Sequence, residues 1–481
     1  MPAIPSGPAR LLRDGRALAV LAVPLVLTQL AQVALTTTDT VMMGLLGTEE
    51  LAAGGLAIVV FNQLRTMGVG LVTSVGNRVA AAAARAEAAP GKPGSPEEPG
   101  SPGPDDEVTA VARAGLAVAT LAGVAGAVLM VAIGQCLSLL GQDADVADRA
   151  RSMLVALAPG LLPCLWFQAV RQFTVGMRRP QALLRITLAS VAVNAGLDWA
   201  FVHGTWGLPR LGLTGIGVAT SLVYLLSFLA LYASTRRDPV LGPRLSLSLL
   251  SADRATVRRL IGLGVPIAAT YGSEAGFFSL TALMAGSFGS AALAAHTAVN
   301  QLVYIVFQVA VGLSHAASIN VSRELALGDL VAARRLKNTA LACAAAVMAV
   351  VGLCYLVFPG LVLRPFLDSG SAGDGDALSI ATGLLAVVAV LQFFDCAQNI
   401  GVGLLRGLDD TKGGFRATLV GYWLVGLPAS LLLGYAADLR TLGLWLGLLA
   451  GLATTAALLL RRYAAGLRAR GGAVPEAVPT G

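Results

Sequence analysis

Four acidic residues lie inside segments that are otherwise apolar enough to cross a membrane: Asp39, Asp198, Glu274 and Asp395. A charged side chain at the centre of a spanning helix costs about 2.5–3.5 kcal/mol on insertion scales. Because a bound proton or cation offsets that cost, ionisable groups at membrane depth mark ion or proton pathways. The four acids are therefore the candidate cation-binding residues of this chain.

Polar side chains accompany the acids of the first half of the chain. Gln32, Thr36 and Asp39 follow one another at steps of four and three residues, which places them on one helix face. Asn194 precedes Asp198 by four residues, so its amide shares a face with that carboxyl. The pattern predicts a cation or proton site formed by Asp39, Asn194 and Asp198, with supporting polar side chains from Gln32, Thr36 and Thr220.

The second half carries its own set of polar residues. Glu274 and Asp395 are predicted to bind a proton together or, in a sodium-coupled protein, to act as metal ligands for Na⁺. Neutral polar side chains are expected to line the same region: Asn300, Tyr304, Gln398 and Asn399. For any single amide or hydroxyl, a hydrogen bond between helices is an equally good interpretation. No cofactor other than the coupling ion, Na⁺ or H⁺, is expected.

The segments that position these residues have the composition of membrane-spanning helices. The chain of 481 residues is 56% hydrophobic and 13% charged, with a mean hydropathy of +0.74, whereas a soluble domain carries about 25% charged residues. Apolar runs of about 20 residues recur, each long enough to cross a bilayer as a helix and too long for a barrel strand. The twelve predicted spans are residues 17–44, 51–77, 108–133, 151–177, 182–203, 212–235, 260–286, 292–319, 339–362, 377–404, 415–436 and 441–463.

The net charge of +7 is distributed unevenly along the chain. Of the 34 Lys and Arg residues, 28 lie in or next to the loops of one side of the membrane, a group that includes Arg171 near the end of the fourth span. Five lie on the opposite side, and Arg65 lies well inside the second span. This distribution predicts a multi-pass protein of the cell membrane with both termini in the cytoplasm. It explains the basic residues without a nucleic-acid partner, and none is expected. The expected partners are the bilayer and a small organic molecule, and the protein is expected to be a monomer.

The two halves of the chain repeat. Between residues 23 and 79 an offset of 242 aligns the halves without a gap. The matched pairs include Val23-Pro24 with Val265-Pro266, Gly44 with Gly286, and Gly70-Leu71 with Gly312-Leu313. Six plus six helices give both copies the same orientation in the membrane. The fold class predicted is therefore an all-α membrane protein with twelve transmembrane helices in two pseudo-symmetric six-helix lobes.

The predicted domain boundaries follow from this repeat. An N-terminal six-helix lobe covers residues 1–235, a cytoplasmic linker covers 236–259, and a C-terminal six-helix lobe covers 260–481. Within the first lobe, residues 88–107 have no counterpart in the second. They are rich in Pro, Gly and acidic residues, which predicts a disordered inserted loop.

The acids do not obey the repeat. At the offset of 242, Glu274 aligns with Gln32, and Asp39 aligns with Thr281. A second alignment, at an offset of 227, places Asp395 on Gln168. Each half thus has its own pair of acids at non-equivalent positions. Two different cation or proton sites, one in each lobe, would produce this asymmetry, whereas a purely structural ion pair need not.

Four stretches carry a family resemblance: "TTTDTVMMGLLGTEELAA", "GSEAGFFSLTALMAGSFGSAALAAH", "LGDLVAARR" and "FFDCAQNIGVGLLRGLDDTK". They resemble the multidrug and toxic compound extrusion (MATE) transporters, in their bacterial multidrug-exporter branch. The resemblance implies an antiporter that exports organic, often cationic or amphipathic, compounds from the cytoplasm against inward Na⁺ or H⁺ flux. It also implies that Glu274 and Asp395 form the cation site of the second lobe.

The same resemblance assigns the first-lobe acid to Asp39 and the polar pair of the fifth helix to Asn194 and Asp198. In many members of this branch the second position of that pair is not acidic. An aspartate at position 198 is closer to the proton-binding pattern of other branches. The inserted loop 88–107 also departs from the family.

Several other classes fit the sequence less well. A major-facilitator transporter would carry a Gly-Asp-Arg-Gly-Arg type of loop after its second helix, and "SVGNRVAAAAARAEAAP" lacks it. An ATP-driven pump would need a G-x-x-x-x-G-K-[ST] loop, which the sequence lacks. It also lacks H-E-x-x-H, and G-x-S-x-G in a suitable context, so the chain is not expected to be an enzyme. A lipid-precursor flippase or another polytopic transporter of the same superfamily is the alternative. Composition alone leaves a channel or receptor open, but the repeat with one acid pair per lobe favours alternating access.

The charge pattern predicts which loops face the cytoplasm. A cysteine introduced at position 145 or 371 should react with a membrane-impermeant thiol reagent added to intact cells, and a cysteine at position 95 should not, because position 95 lies on the side where the basic residues concentrate. Labelling at position 95 would show that the orientation is inverted.

Overall fold

The computed structural model describes residues 7–88, 104–137, 144–246, 248, 251–367 and 374–472, and this part of the chain is helical apart from short connections. The all-α prediction is therefore confirmed for the described residues. Six long helices form the first half: α1 (Gly7–Leu46), α2 (Thr48–Ala88), α3 (Pro104–Cys136), α4 (Ala144–Gly176), α5 (Gln181–His203) and α6 (Leu213–Arg237).

The second half begins with four helices of similar length, interrupted by one short helix: α7 (Arg254–Gly286), α8 (Ser290–Ala326), α9 (Leu330–Val357), α10 (Pro359–Leu363) and α11 (Asp374–Gly407). It ends with α12 (Thr411–Leu419), α13 (Leu427–Leu431) and α14 (Arg440–Gly472). Two π-helical stretches, Val420–Gly426 and Leu432–Ala436, make α12 and α13 one continuous helix from Thr411 to Ala436. Wide π-turns within α-helices occur frequently at functional sites.

Eleven helices in the described part of the chain are long and apolar enough to cross a membrane, one fewer than the twelve predicted. The helix that falls short is α7, although its 33 residues span about 50 Å. Pro266, Ser273 and Glu274 lie within it and lower its mean hydropathy. Glu274, a candidate cation-binding residue, is thus one reason that α7 is less apolar than the eleven other long helices.

The loop predicted at 88–107 is shorter at both ends than expected. Ala88 still belongs to α2, and residues 104–107 already belong to α3, while 89–103 lie outside the described residues. A proline at the start of a helix is favourable because its missing N–H would be unpaired there in any case. Glu107 then ties the two helices together, since its carboxylate lies 2.6 Å from the Arg85 guanidinium.

The predicted linker 236–259 is also partly helical. Arg237 ends α6, Arg254 begins α7, and a 3₁₀ turn covers Gly242–Arg244 between them. Asp253 caps α7 by accepting hydrogen bonds of 2.9 and 2.7 Å from the backbone N–H and hydroxyl of Thr256. These bonds, with one from the backbone of Ala255, lower the pKa of Asp253.

Asp238 fixes the other end of the linker. Burial alone would raise the pKa of this carboxyl, but hydrogen bonds from the backbone N–H groups of Val240 and Leu241 and from the Arg179 guanidinium outweigh it and hold the pKa below its usual value. The ion pair with Arg179 measures 2.9 Å. It joins the end of α6 to the loop that follows α4.

The described helices fall into two compact units whose boundaries lie inside α1 and α7. Unit 1 comprises Met1–Val26 and Ser273–Gly481, and unit 2 comprises Leu27–Gly272. The core of unit 1 is built around large buried side chains that include Phe277, Tyr422 and Trp445, and that of unit 2 around Phe61, Met153 and Leu157. The lobe boundaries given by the repeat stay a prediction.

Each unit contains a close helix crossing at a glycine. In unit 2 a Cβ atom on Gly70 would lie 2.7 Å from the Cα atom of Ala268, so α2 meets α7 backbone to backbone. In unit 1 a Cβ atom on Gly312 would lie 2.9 Å from the Cα atom of Val26, so α8 meets α1 in the same way. Gly312 is Gly70 plus 242, and Ala268 is Val26 plus 242. The sequence repeat is therefore also a repeat of packing.

The helices α4 and α11 correct the second alignment. Both helices end on glycines at which an added Cβ atom would touch α2 or α8: Gly176 meets Gly76 and Val79 of α2, and Gly407 meets Ser318 and Val321 of α8. Ser318 and Val321 are Gly76 and Val79 plus 242, so Gly176 corresponds to Gly407, at an offset of 231 rather than 227. Asp395 then corresponds to Cys164 and not to Gln168. The first half therefore still has no acid at the position equivalent to Asp395.

The glycine crossings predict a cost for the smallest added side chain. Gly70→Ala and Gly312→Ala should each lower the midpoint of thermal unfolding in detergent, because overpacking costs about 1–3 kcal/mol where backbones already touch. Gly262→Ala in α7 is the control, since a Cβ atom there would meet nothing within 4 Å. Equal midpoints for all three variants would show that the crossings are loose.

Candidate functional site

The predicted first-half residues Asp39, Asn194, Asp198 and Thr220 come together inside unit 2, in what we call the Asp39 site. The Asn194 side-chain amide donates to Asp39 Oδ1 at 2.6 Å and to Asp198 Oδ2 at 2.8 Å. The Thr220 hydroxyl contributes a longer contact of 3.4 Å to Asp39 Oδ2. Asn194 and Asp198 have no exposed surface, and Asp39 is 5% exposed. One neutral amide therefore holds two buried carboxyls.

The two carboxyls of this site also contact each other. Ionised carboxylates only accept hydrogen bonds, so two of them in contact are satisfied together only if one carries a proton. Asp198 Oδ1 is buried and has no hydrogen-bond donor among the described residues. A proton placed between Asp39 and Asp198 would supply that donor and remove one buried negative charge.

A small cavity borders the Asp39 site. The space open to the centre of a water molecule is about 10 Å³, which is about enough for one water. Its polar lining comes from Thr36, Asp39, Asn62, Thr220 and Tyr224. Gln32 is half-buried and is not among the lining residues, although its backbone oxygen accepts the hydroxyl of Thr36. Thr36 is thus placed as predicted, and Gln32 lies one turn away.

The second-half acids are buried within unit 1, in what we call the Glu274 site. The Tyr422 hydroxyl donates to Glu274 Oε1 at 3.3 Å. Asp395 accepts from the Asn399 side-chain amide at 3.1 Å and interacts electrostatically with Glu274. Gln398 contacts the Tyr422 hydroxyl, and its own Oε1 is buried with no partner in the part of the chain that the structure describes. Of the predicted residues, Asn399 thus contacts Asp395, and Gln398 contacts the tyrosine that donates to Glu274.

Aromatic rings hold the tyrosine of this site in place. Phe277 stacks on Tyr422 with ring centroids 5.0 Å apart and an interplanar angle of 6°. The indole N–H of Trp423 donates to the Ser273 hydroxyl at 2.8 Å. Both Tyr422 and Trp423 lie in the π-helical stretch Val420–Gly426, so the wide turn presents two successive side chains to α7.

Two predicted residues lie apart from these hydrogen bonds. Tyr304 is 44% exposed and packs against Phe307, with ring centroids 6.4 Å apart. Asn300 is half-buried one turn earlier on α8. Among the described residues no cluster of three or more His, Cys, Asp or Glu side chains could hold a metal ion. A Na⁺ ion at the Glu274 site would therefore need amide or hydroxyl oxygens beside its two carboxylates.

The sequence did not identify several buried partners. Arg171 was grouped with the cytoplasmic basic residues, but only 2% of it is exposed, within α4. Arg171 lies six residues before the end of the predicted span 151–177, so its position in the sequence did not indicate burial. Tyr422 carried no signal, since a tyrosine in an apolar run is ordinary. Arg406 interacts electrostatically with Glu274 across unit 1, and only folding brings α11 to α7 in this way.

Comparisons of the sequence and of the structure with known proteins point to the same family. The family described as MatE matches residues 104–200 and 266–432. A probable multidrug resistance protein NorM from Pseudomonas aeruginosa is 36% identical, over 92% of this chain and 87% of that protein. A second NorM protein, from Burkholderia mallei, is 34% identical over 95% of this chain and 94% of its own.

A solved structure shares the fold. An outward-facing multidrug resistance MATE transporter aligns with a TM-score of 0.83 over 98% of this chain and 100% of its own, at 18% identity. The architecture is the twelve-helix, two-lobed membrane fold of such transporters. The chain belongs to the multidrug and toxic compound extrusion family, whose members are membrane transporters rather than enzymes.

The Asp39 site predicts a specific role for Asn194. Asn194→Leu keeps the side-chain size but removes the donor shared by two buried carboxyls, and each unsatisfied buried group costs about 1–3 kcal/mol. The midpoint of thermal unfolding in detergent should fall further than in Thr220→Val, which removes the 3.4 Å contact to Asp39 and a 2.9 Å hydrogen bond to the backbone oxygen of Ile216 but leaves the Asn194 amide in place. A fall no larger than that of Thr220→Val would mean that the amide is dispensable.

Proposed function

We propose that this protein is a secondary active antiporter that exports organic compounds from the cytoplasm and is driven by inward H⁺ or Na⁺ flux. The observation that carries the proposal is the state of the four buried acids. None takes part in an ion pair within the described part of the chain, and each unit holds two of them. Acids held by neutral donors can gain and lose a cation.

Ion-coupled transport requires that the ion binds the two access states with different affinity, which a binding site alone does not provide. Burial in a low-dielectric medium disfavours the charged form of a carboxyl, so each site is more stable when it holds a proton or a cation. An ion that binds one access state more tightly than the other shifts the populations of the two. The membrane potential then supplies direction, at about 2.3 kcal/mol per charge per 100 mV.

The two sites suit different ions. The Asp39 site has two carboxyls in contact and a cavity for about one water, which favours a proton shared between Asp39 and Asp198. The Glu274 site adds hydroxyl and amide groups from Tyr422, Gln398 and Asn399 to its acids, a donor set that accommodates either H⁺ or Na⁺.

The cargo is proposed from relatives and charge together. The similar proteins from Pseudomonas aeruginosa and Burkholderia mallei are named as multidrug resistance proteins. Acids outnumber bases among the buried ionisable groups that the sequence placed in the membrane, which favours cationic or amphipathic cargo. The lipid-precursor flippase stays the second candidate, because buried Arg171 is the kind of residue that would bind a lipid pyrophosphate.

Removing the acids one at a time tests the proposal. Glu274→Gln, Asp395→Asn and Asp39→Asn should preserve membrane insertion but lower gradient-driven accumulation of a cationic dye in proteoliposomes. The loss of one coupled charge at 100 mV lowers the attainable accumulation by about fiftyfold. Na⁺ and pH gradients should be imposed separately, so that the ion that drives transport is identified for each variant.

Asp376→Asn is the matched control, since Asp376 is exposed at the start of α11, the helix that carries Asp395. It should accumulate dye as the wild type does. Wild-type accumulation in the double variant Glu274→Gln/Asp395→Asn would show that the Glu274 site does not couple and that Asp39 with Asp198 acts alone.

A further inference from the structure

Arg171 is a buried cation for which the proposed ion coupling has no use. It lies on α4 with 2% of its surface exposed. Its guanidinium donates to Gln168 Oε1 at 3.0 Å and to Gln29 Oε1 at 2.9 Å. Both acceptors are neutral amides, and no described ion pair includes Arg171. A buried charge without a counter-ion is strongly unfavourable.

The electrostatic surroundings increase the need for a negative charge. The charged neighbour of Arg171 is a second cation, Arg65 on α2, and the hydroxyl of Tyr271 on α7 also lies within electrostatic range. The acids of the same unit, Asp39 and Asp198, are bound by Asn194 instead. Unit 2 therefore holds two positive charges that act on each other, and Arg65 also donates to Asn62 Oδ1 at 3.2 Å, beside the cavity that Asp39 lines.

The donors around Arg171 suit a carboxylate. A guanidinium has five N–H groups in a planar fork that matches the two oxygens of a carboxylate, and the two hydrogen bonds described here use two of the five. Gln29 and Gln168 can turn their NH₂ groups towards an anion, because an amide offers either an acceptor or a donor.

We propose that Arg171, supported by Arg65, binds the carboxylate of the exported compound, so that zwitterionic cargo carrying an acidic group is preferred over the same compound without it. The inference rests on the export function proposed above and specifies its substrate class. Neutral amides at Arg171 give a reversible site, whereas a permanent Asp or Glu partner would compete with the cargo.

Two dyes that differ only in this group test the inference. Rhodamine 110 carries a free carboxyl, and rhodamine 123 is its methyl ester. Binding of each to purified protein in detergent should be measured by equilibrium dialysis for wild type, Arg171→Gln and Arg171→Lys. The preference for the acid over the ester should fall at least about tenfold in Arg171→Gln, the range expected for a charged hydrogen bond. Arg171→Lys, which keeps the charge without the fork, should retain part of it.

Arg185→Gln is the control, because Arg185 is exposed on α5, and its preference should equal that of the wild type. Thermal unfolding of each variant reports whether it is folded. An unchanged preference in folded Arg171→Gln, or equal weakening of both dyes, overturns the inference and makes Arg171 a purely structural residue. Gradient-driven export of the ester by the wild type tests the antiport function separately, so failure of one proposal is distinguishable from failure of the other.

Discussion

Holding carboxyl groups away from water is the constraint on which much of this structure depends. A carboxyl in the membrane interior is tolerable only if donors surround it or a cation neutralises it. In unit 2 the donor is the single amide of Asn194, placed by the four-residue spacing to Asp198 on α5 and by contact with Asp39 on α1. In unit 1 the donors are Tyr422 and Asn399, from two different helices.

The two sites obtain their donors by different means. The Asp39 site uses regular helices, since residues four apart share a face without any distortion. The Glu274 site depends on the π-helical stretch Val420–Gly426, which brings Tyr422 to Glu274 and Trp423 to Ser273. Phe277, one turn after Glu274 on α7, then packs on the Tyr422 ring. In unit 1 a π-helical stretch and an aromatic stack thus position the tyrosine donor, whereas in unit 2 a single amide is the donor to both acids.

The internal repeat governs packing more strictly than chemistry. The glycine crossings of α2 with α7 and of α8 with α1 obey the 242-residue offset, because backbone contact leaves room only for glycine on one helix. The acids do not obey it, since each site needs its own arrangement of donors. Duplicated packing with divergent polar residues thus gives two differently built acid sites within one architecture.

Much about this protein was determined by its sequence alone. Hydropathy, the run lengths and the helical spacing of Asp39, Asn194 and Asp198 identified the membrane class and the polar residues, because these are local properties of the chain. Burial and partnership were decided by the tertiary structure. Arg171 is close in sequence to a basic loop, but the folded helices bury it. Tyr422 contacts Glu274 from a π-helical stretch. The offset of 231 between α4 and α11 follows from the residues that their terminal glycines contact. Such contacts join residues far apart in the chain, so no spacing within the sequence encodes them.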